Sequence, residues 1–299
     1  MNRKVRLIPV IFLLSISIFG TICATPLAYA LPNYRKIYPG AINAQDYPSI
    51  QEAIDSLPSS GGAVFIPAGI YILSTPIKVR ADITLIGESF ETYLKLADGA
   101  NCSIIENMNQ TGFVDVNISI LNMQLDGNKA YQTAPINGIY LSTAPNARIE
   151  NVWAHDFPKY TGGGSMGIWL LVCPNSIVRY NIVENNDYTG IMLSYSNNSE
   201  VSYNKAYHNH RGIYVSYTSH TRVMKNTVID CDEGIRLYGS ASHNRIQKNY
   251  VENSIEEGIV IMHPQCVENF IVANYLKNNL NPIIDWGTET KIRGNRIIS

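Results

Sequence analysis

Gly190-Ile-Met-Leu193, Gly212-Ile-Tyr-Val215 and Gly234-Ile-Arg-Leu237 are one phrase written three times. It recurs upstream as Gly138-Ile-Tyr-Leu141 and Gly167-Ile-Trp-Leu170, and downstream as Gly258-Ile-Val-Ile261. The glycines are separated by 29, 23, 22, 22 and 24 residues. A fixed period in this range marks stacked structural units. Inside each phrase apolar and variable residues alternate, the pattern of a strand with one buried face. The Ile and Leu point inward and the residue between them points outward.

A second register runs between the phrases: Asn151, Asn181, Asn204, Asn226, Asn249, Asn274 and Asn295. Its typical form is Val201-Ser-Tyr-Asn204 or Val223-Met-Lys-Asn226. An Asn at the same corner of every coil can hydrogen-bond its neighbours above and below and satisfy turn backbone. The two registers predict an all-β fold, a single parallel β-helix, right-handed by the crossover rule. The Leu-rich consensus of leucine-rich repeats is absent.

The N-terminal part supplies a lid. Ser49-Ile-Gln-Glu52 is a capping-box pattern that predicts a short helix over residues 50–57, ended by Pro58-Ser-Ser-Gly-Gly62. Short strands are expected over residues 63–66, 71–73, 77–79, 83–86 and 93–96. The helix would cover the first coil, whose strand edges and apolar interior otherwise face water. Residues 1–30 read separately. A basic Asn2-Arg3-Lys4-Val5-Arg6 precedes an apolar run from Leu7 to Ile18, and Ala28-Tyr29-Ala30 is an A-x-A site. This predicts a secretory signal cleaved after Ala30, leaving one domain over residues 31–299 that is secreted or held in the cell envelope. The alternative is an uncleaved anchor, the one route to membrane contact. Four cysteines follow the signal, Cys102, Cys173, Cys231 and Cys266, at unlike repeat positions. Pairing in an oxidising compartment and burial as small apolar groups are both open.

The net charge of -1, with 16% charged residues, argues against nucleic acid as partner, and a monomer is expected. The longest step, from Gly138 to Gly167, holds an insertion, Ala154-His-Asp-Phe-Pro-Lys-Tyr-Thr-Gly-Gly-Gly164. Insertions in repeat proteins map to loops, often on the binding face.

Strand alternation makes the outward columns legible. Two residues after each glycine stand Tyr140, Trp169, Met192, Tyr214, Arg236 and Val260; two before stand Ser165, Tyr188, His210, Asp232 and Glu256. Coils lie about 4.8 Å apart. Tyr188, His210, Asp232, Trp169, Tyr214, Arg236 and Tyr238 are therefore expected in one solvent-facing patch, with Arg211 and Glu233 at its edge. Exposed aromatics such as Tyr140, Trp169, Tyr188 and Tyr238 suit sugar rings, Arg suits a carboxylate, and His with Tyr suits proton transfer. The plain reading is that these are good strand residues, with Arg236 paired to Asp232 or Glu256. Asp232-Glu233 and Glu256-Glu257 recur one coil apart, so calcium between them is the one candidate cofactor.

Gln45-Asp-Tyr-Pro-Ser-Ile-Gln-Glu-Ala-Ile54 and Gly61-Gly-Ala-Val-Phe-Ile-Pro-Ala-Gly-Ile-Tyr71 resemble the entry segment of the pectate-lyase-like superfamily. Ile83-Thr-Leu-Ile-Gly87, Leu125-Asp-Gly-Asn-Lys129 and Asn204-Lys-Ala-Tyr-His-Asn-His-Arg-Gly212 resemble catalytic modules of secreted mannuronan C-5-epimerases. The resemblance implies a β-helix acting on an acidic polysaccharide at C5, by epimerisation or β-elimination. His210, Arg211, Tyr214 and Arg236 would be its catalytic residues. The epimerase motif with Asp and His, two coils before the basic pair, is replaced by Ser165-Met-Gly-Ile-Trp-Leu-Leu171. His155 and Asp156 in the insertion are the candidates to substitute. The 22-residue repeats also resemble those of periplasmic copper-site maturation proteins and archaeal surface proteins, which implies a binding role without polysaccharide chemistry.

Overall fold

A computed structural model describes residues 38–160 and 163–299. The predicted signal segment lies outside the described residues. Three walls of short parallel strands wind around one continuous apolar core. The first wall holds the Gly-Ile-x-Leu phrases: nine strands in sequential contact, from Ile77–Val79 through Thr189–Ser194, Arg211–Ser216 and Glu233–Tyr238 to Asn281–Asp285. The second and third walls merge into a 19-stranded sheet. They merge because Ser119–Asp126 and Arg148–His155 are long enough to run through the corner between them. Register follows the repeat: Ile139, Ile168, Ile191, Ile213, Ile235, Ile259 and Ile283 form one column. All but the last are fully buried.

The predicted helix spans Ile50–Ser56, with the Ser49 hydroxyl accepting from the Glu52 N–H at 3.1 Å. Its Ala53 and Ile54 are fully buried over the first coil. Each expected N-terminal strand forms, extended by one or two residues in four of the five cases. No helix among the described residues is long and apolar enough to cross a membrane.

The asparagine ladder forms over Asn181, Asn204, Asn226, Asn249, Asn274 and Asn295; Asn151, expected as its first rung, instead takes the left-handed turn position, and the Val152 N–H donates to Asn181 Oδ1. The Asn226 carbonyl accepts from the Asn204 backbone and amide at 2.9 and 3.0 Å, while its own amide donates to Val201 O and Asn249 Oδ1. Each rung follows a residue in the left-handed region, such as Tyr203, Lys225 or Lys248. That turn directs one backbone N–H inward, where only the next side chain can reach it. Two further ladders stand at the other corners. Asn186, Asn209 and Cys231 line one, where the Asn209 amide contacts Cys231 Sγ at 3.9 Å. Ser176, Ser199, Thr221, Asn244 and Asn269 line the other. All four described cysteines are free thiols, three of them buried, and burial pushes Cys173 and Cys231 up to about 12.

Strand alternation slips at the phrase glycines. Pairing passes from Thr189↔Arg211 to Ile191↔Ile213. A Cβ on Gly190 would strike the buried Val183 side chain and approach the Asn209 amide. Glycine and isoleucine thus both face the core, and the residue before the glycine turns outward.

Candidate functional site

Because of that slip, Arg211 and Glu233 stand at the centre of the expected patch and not at its edge. Glu233 bridges two guanidinium groups: Arg211 Nε at 3.1 Å and Arg236 Nη1 at 2.5 Å. This corrects the ion pair expected from sequence, in which Arg236 would meet Asp232 or Glu256. The guanidinium of Arg211 lies 4.9 Å from the Tyr188 ring and 5.5 Å from the Tyr214 ring. That of Arg236 lies 5.4 Å from Tyr214 and 5.5 Å from Tyr238. Tyr188, Arg211, Tyr214, Arg236 and Tyr238 therefore interleave as ring and cation across successive coils.

The patch is less exposed than alternation implied. Side-chain exposure is 12% for Arg211, 13% for Arg236 and 5% for Glu233, and Tyr214 is buried. Packing one coil on the next covers the flat faces of these side chains, which strand periodicity does not reveal. Burial alone would push the Glu233 carboxyl up, but the two arginines outweigh it and hold it below its ordinary 4.5. Burial raises the Tyr214 hydroxyl, and the neighbouring arginines only partly offset this. Burial works against the charge on Arg236, yet its hydrogen bond to Glu233 leaves it above its usual value.

Beside this centre runs the column Tyr188, His210, Asp232 and Glu256, joined by the backbone ladder. His210 Nδ1 lies 2.8 Å from Asp232 Oδ2. Since a carboxylate only accepts, Nδ1 is the donor in this contact, which leaves Nε2 as the ring nitrogen not engaged by Asp232. The Tyr188 ring lies 5.9 Å from His210. In the adjacent coils further along the wall, the Trp169 and Tyr140 rings lie 4.7 Å apart at a tilt of 39°. The inserted hairpin of Lys159–Tyr160 and Gly163–Gly164 closes on Tyr188: a Cβ at Gly164 would overlap that ring.

Of the four acids proposed for calcium, Glu233, Glu256 and Glu257 bring ligand oxygens within 4.8 Å of one another; Asp232 is engaged with His210 instead. Glu257 is raised above its ordinary 4.5 by burial, then by Glu233 and Glu256. Its protonated form is thus favoured by folding, a contribution present below 4.5 and lost as pH rises through its raised value. Glu257→Gln is expected to raise the melting temperature at neutral pH and to lose that advantage near pH 4. Equal melts of the two proteins at pH 7 would contradict the crowding of these acids.

Sequence reasoning underused a second cluster. His155 and Asp156 lie at the end of a strand of the third wall, not in the inserted loop. His155 Nδ1 is 2.7 Å from Asp156 Oδ2, and its Nε2 is 2.9 Å from the Gln124 amide. Asp126, one coil below, takes Lys95 at 3.0 Å and the Tyr93 hydroxyl. Burial and Asp126 push Tyr93 far up; His155 and Lys129 outweigh burial to hold Asp156 down. Asp126 and His155 each stand twelve positions before a phrase glycine, Gly138 and Gly167, where the 22-residue pattern carries no signal.

The family model described as "Periplasmic copper-binding protein (NosD)" matches residues 80–298. No curated protein matches the chain. Among solved structures, the fold is similar to the mannuronan C-5 epimerase AlgE4 A-module of Azotobacter vinelandii. That match has 17% identity and a TM-score of 0.58, and covers 85% of this chain and 96% of that one. DFA-IIIase of Arthrobacter chlorophenolicus A6, in complex with GF2, is similar at 12% identity and TM-score 0.62, covering 81% and 71%. ORF18 of Geobacillus virus E2 is similar at 14% and 0.56, covering 88% and 61%. At these identities the likeness is one of fold.

Copper favours imidazole and sulfur donors. Among the described residues, the groups with three or more close ligand atoms are Asp126, His155, Asp156 and Glu233, Glu256, Glu257. Together they contain one imidazole and no thiolate; Lys95 already pairs with Asp126, and Arg211 and Arg236 with Glu233. These donor sets are oxygen-rich and do not fit copper.

Proposed function

We propose, from the premise that this chain belongs to the NosD family of periplasmic copper-binding proteins, that it is an extracytoplasmic β-helix that binds a glycan along its first wall and acts on it at C5. The observation that carries this reading is the His210–Asp232 pair set beside the interleaved Tyr188–Arg211–Tyr214–Arg236–Tyr238 array. The substrate is an acidic polysaccharide. Its sugar rings stack along Tyr140, Trp169, Tyr188 and Tyr238. Arg211 and Arg236 face its carboxylate and stabilise the charge that develops when the adjacent proton leaves. His210 Nε2 takes the C5 proton, and Asp232 holds the imidazolium that results. Tyr188 or Tyr214 then returns a proton to the opposite face of C5, giving the epimer, or to the departing O4, giving an unsaturated end. Calcium at Glu233, Glu256 and Glu257 would relieve their mutual repulsion and add positive charge beside the carboxylate.

A second reading is favoured by one specific feature. Glu233 engages both guanidinium groups, so the three side chains together carry a single positive charge. A wall so balanced suits glycan binding without turnover. The test incubates the protein with alginate, pectate and glycosaminoglycans, with and without calcium. Unsaturated product is followed by absorbance, and epimers by proton NMR. Turnover abolished by His210→Ala with binding retained supports the enzyme. Binding without turnover on every polymer supports the second reading.

A further inference from the structure

The overall charge of -1 conceals a strong segregation. Each of the last five coils contributes one eight-residue stretch to the second and third walls: residues 200–207, 222–229, 245–252, 270–277 and 291–298. Together they hold nine Lys or Arg and two Glu. Their apolar and Asn positions point inward, so every charge lies on the outside. Two of the cations are committed, Arg222 to Glu200 at 2.8 Å and Lys277 to Glu252 at 2.5 Å. The other seven have no carboxylate partner among the described residues. Several rest on aromatic rings instead: Lys225 on Tyr203 at 4.7 Å, Lys291 on Phe270 at 5.2 Å and Arg296 on Tyr275 at 5.4 Å. Lys248, Lys291 and Arg293 are exposed.

We propose that this basic face is a docking surface for a linear anionic glycan, separate from the site on the first wall. Charge complementarity fixes the sign of the partner. The geometry selects its form: Arg222 and Arg245 stand in register in adjacent coils, with Lys291 two coils further along the same row beyond Phe270, and Lys225 and Lys248 recur one coil apart at the neighbouring corner, each coil stepping about 4.8 Å. That step is of the order of one sugar ring in an extended chain, so neighbouring carboxylates or sulfates meet these neighbouring cations. The interleaved rings offer flat apolar faces between the charges. A phospholipid surface would satisfy the charge but has no use for the repeat. The inference does not depend on turnover at His210.

The experiment titrates the full chain with pectate, alginate and heparin oligosaccharides. In parallel arms it is titrated with phosphatidylglycerol vesicles and duplex DNA. Binding of at least one glycan is expected, weakening as salt is raised because exposed charges are screened. The triple variant Lys248→Glu, Lys291→Glu, Arg293→Glu should bind about tenfold more weakly or worse, since reversal turns three attractions into repulsions. Its melting temperature should match the wild type, these side chains being exposed. Glycan binding unchanged in the triple variant would overturn the proposal. So would capture of vesicles or DNA with no affinity for any of the three glycans, or no binding in any arm.

Discussion

Glu233→Ala is expected to destabilise the protein by about 3–5 kcal/mol, the usual cost of breaking a buried ion pair from one side. The variant leaves Arg211 and Arg236 buried with no carboxylate between them, each pressed against tyrosine rings. Glu233→Gln keeps an acceptor oxygen and should cost less. The pH dependence has a definite sign. Glu233 is held below its ordinary 4.5, so its contribution is present above 4.5 and is lost as pH falls through its lowered value. The gap between wild type and Glu233→Ala should therefore narrow in acid. Denaturant melts at neutral and acid pH measure both effects. A variant as stable as the wild type at pH 7 would mean that Glu233 does not hold the centre of the patch.

Asn226→Leu is the second large effect. The substitution strips partners from the Asn204 N–H, the Asn204 amide and the Val201 carbonyl, all within the wall. Each buried polar group left unsatisfied costs about 1–3 kcal/mol, so a loss of about 3 kcal/mol or more is expected. Asn295→Leu should cost less, because Asn295 is only half-buried and stands in the last coil. Calorimetric melts of the two variants give the comparison. Identical melting temperatures for Asn226→Leu and wild type would show that the ladder contributes nothing.

The fold was legible because the β-helix writes its inside into the sequence at a fixed period. Ile213, Val215 and Asn226 each occupy a position that only a stacked coil explains. The site was legible in membership but not in arrangement. Tyr188, His210, Asp232, Tyr214 and Arg236 do share one surface, as their spacing implied. Period-two alternation failed at the phrase glycines, because a residue without a side chain can face the core beside Ile without crowding. That single slip moved Arg211 and Glu233 from the edge to the centre. Reading columns as solvent-facing failed for a related reason: stacked Arg and Tyr side chains cover one another. The basic wall was hidden by bookkeeping on the whole chain, where its excess is cancelled by acids elsewhere. The Asp126–His155 cluster joins residues 29 positions apart, across the one coil whose length departs most from the repeat.

The central claim, that His210 removes the C5 proton of an acidic sugar, is tested most directly by solvent exchange. Polymannuronate, pectate and a glycosaminoglycan are incubated with the protein in deuterium oxide, and C5 is examined by NMR. Deuterium enters C5 whenever its proton is removed and replaced, as in epimerisation. Where elimination follows instead, the same spectra show the unsaturated end. The account predicts deuterium or unsaturation at C5 of at least one polymer with the wild type and neither with His210→Ala. Intact, unlabelled C5 on every polymer, despite measurable binding, would contradict it.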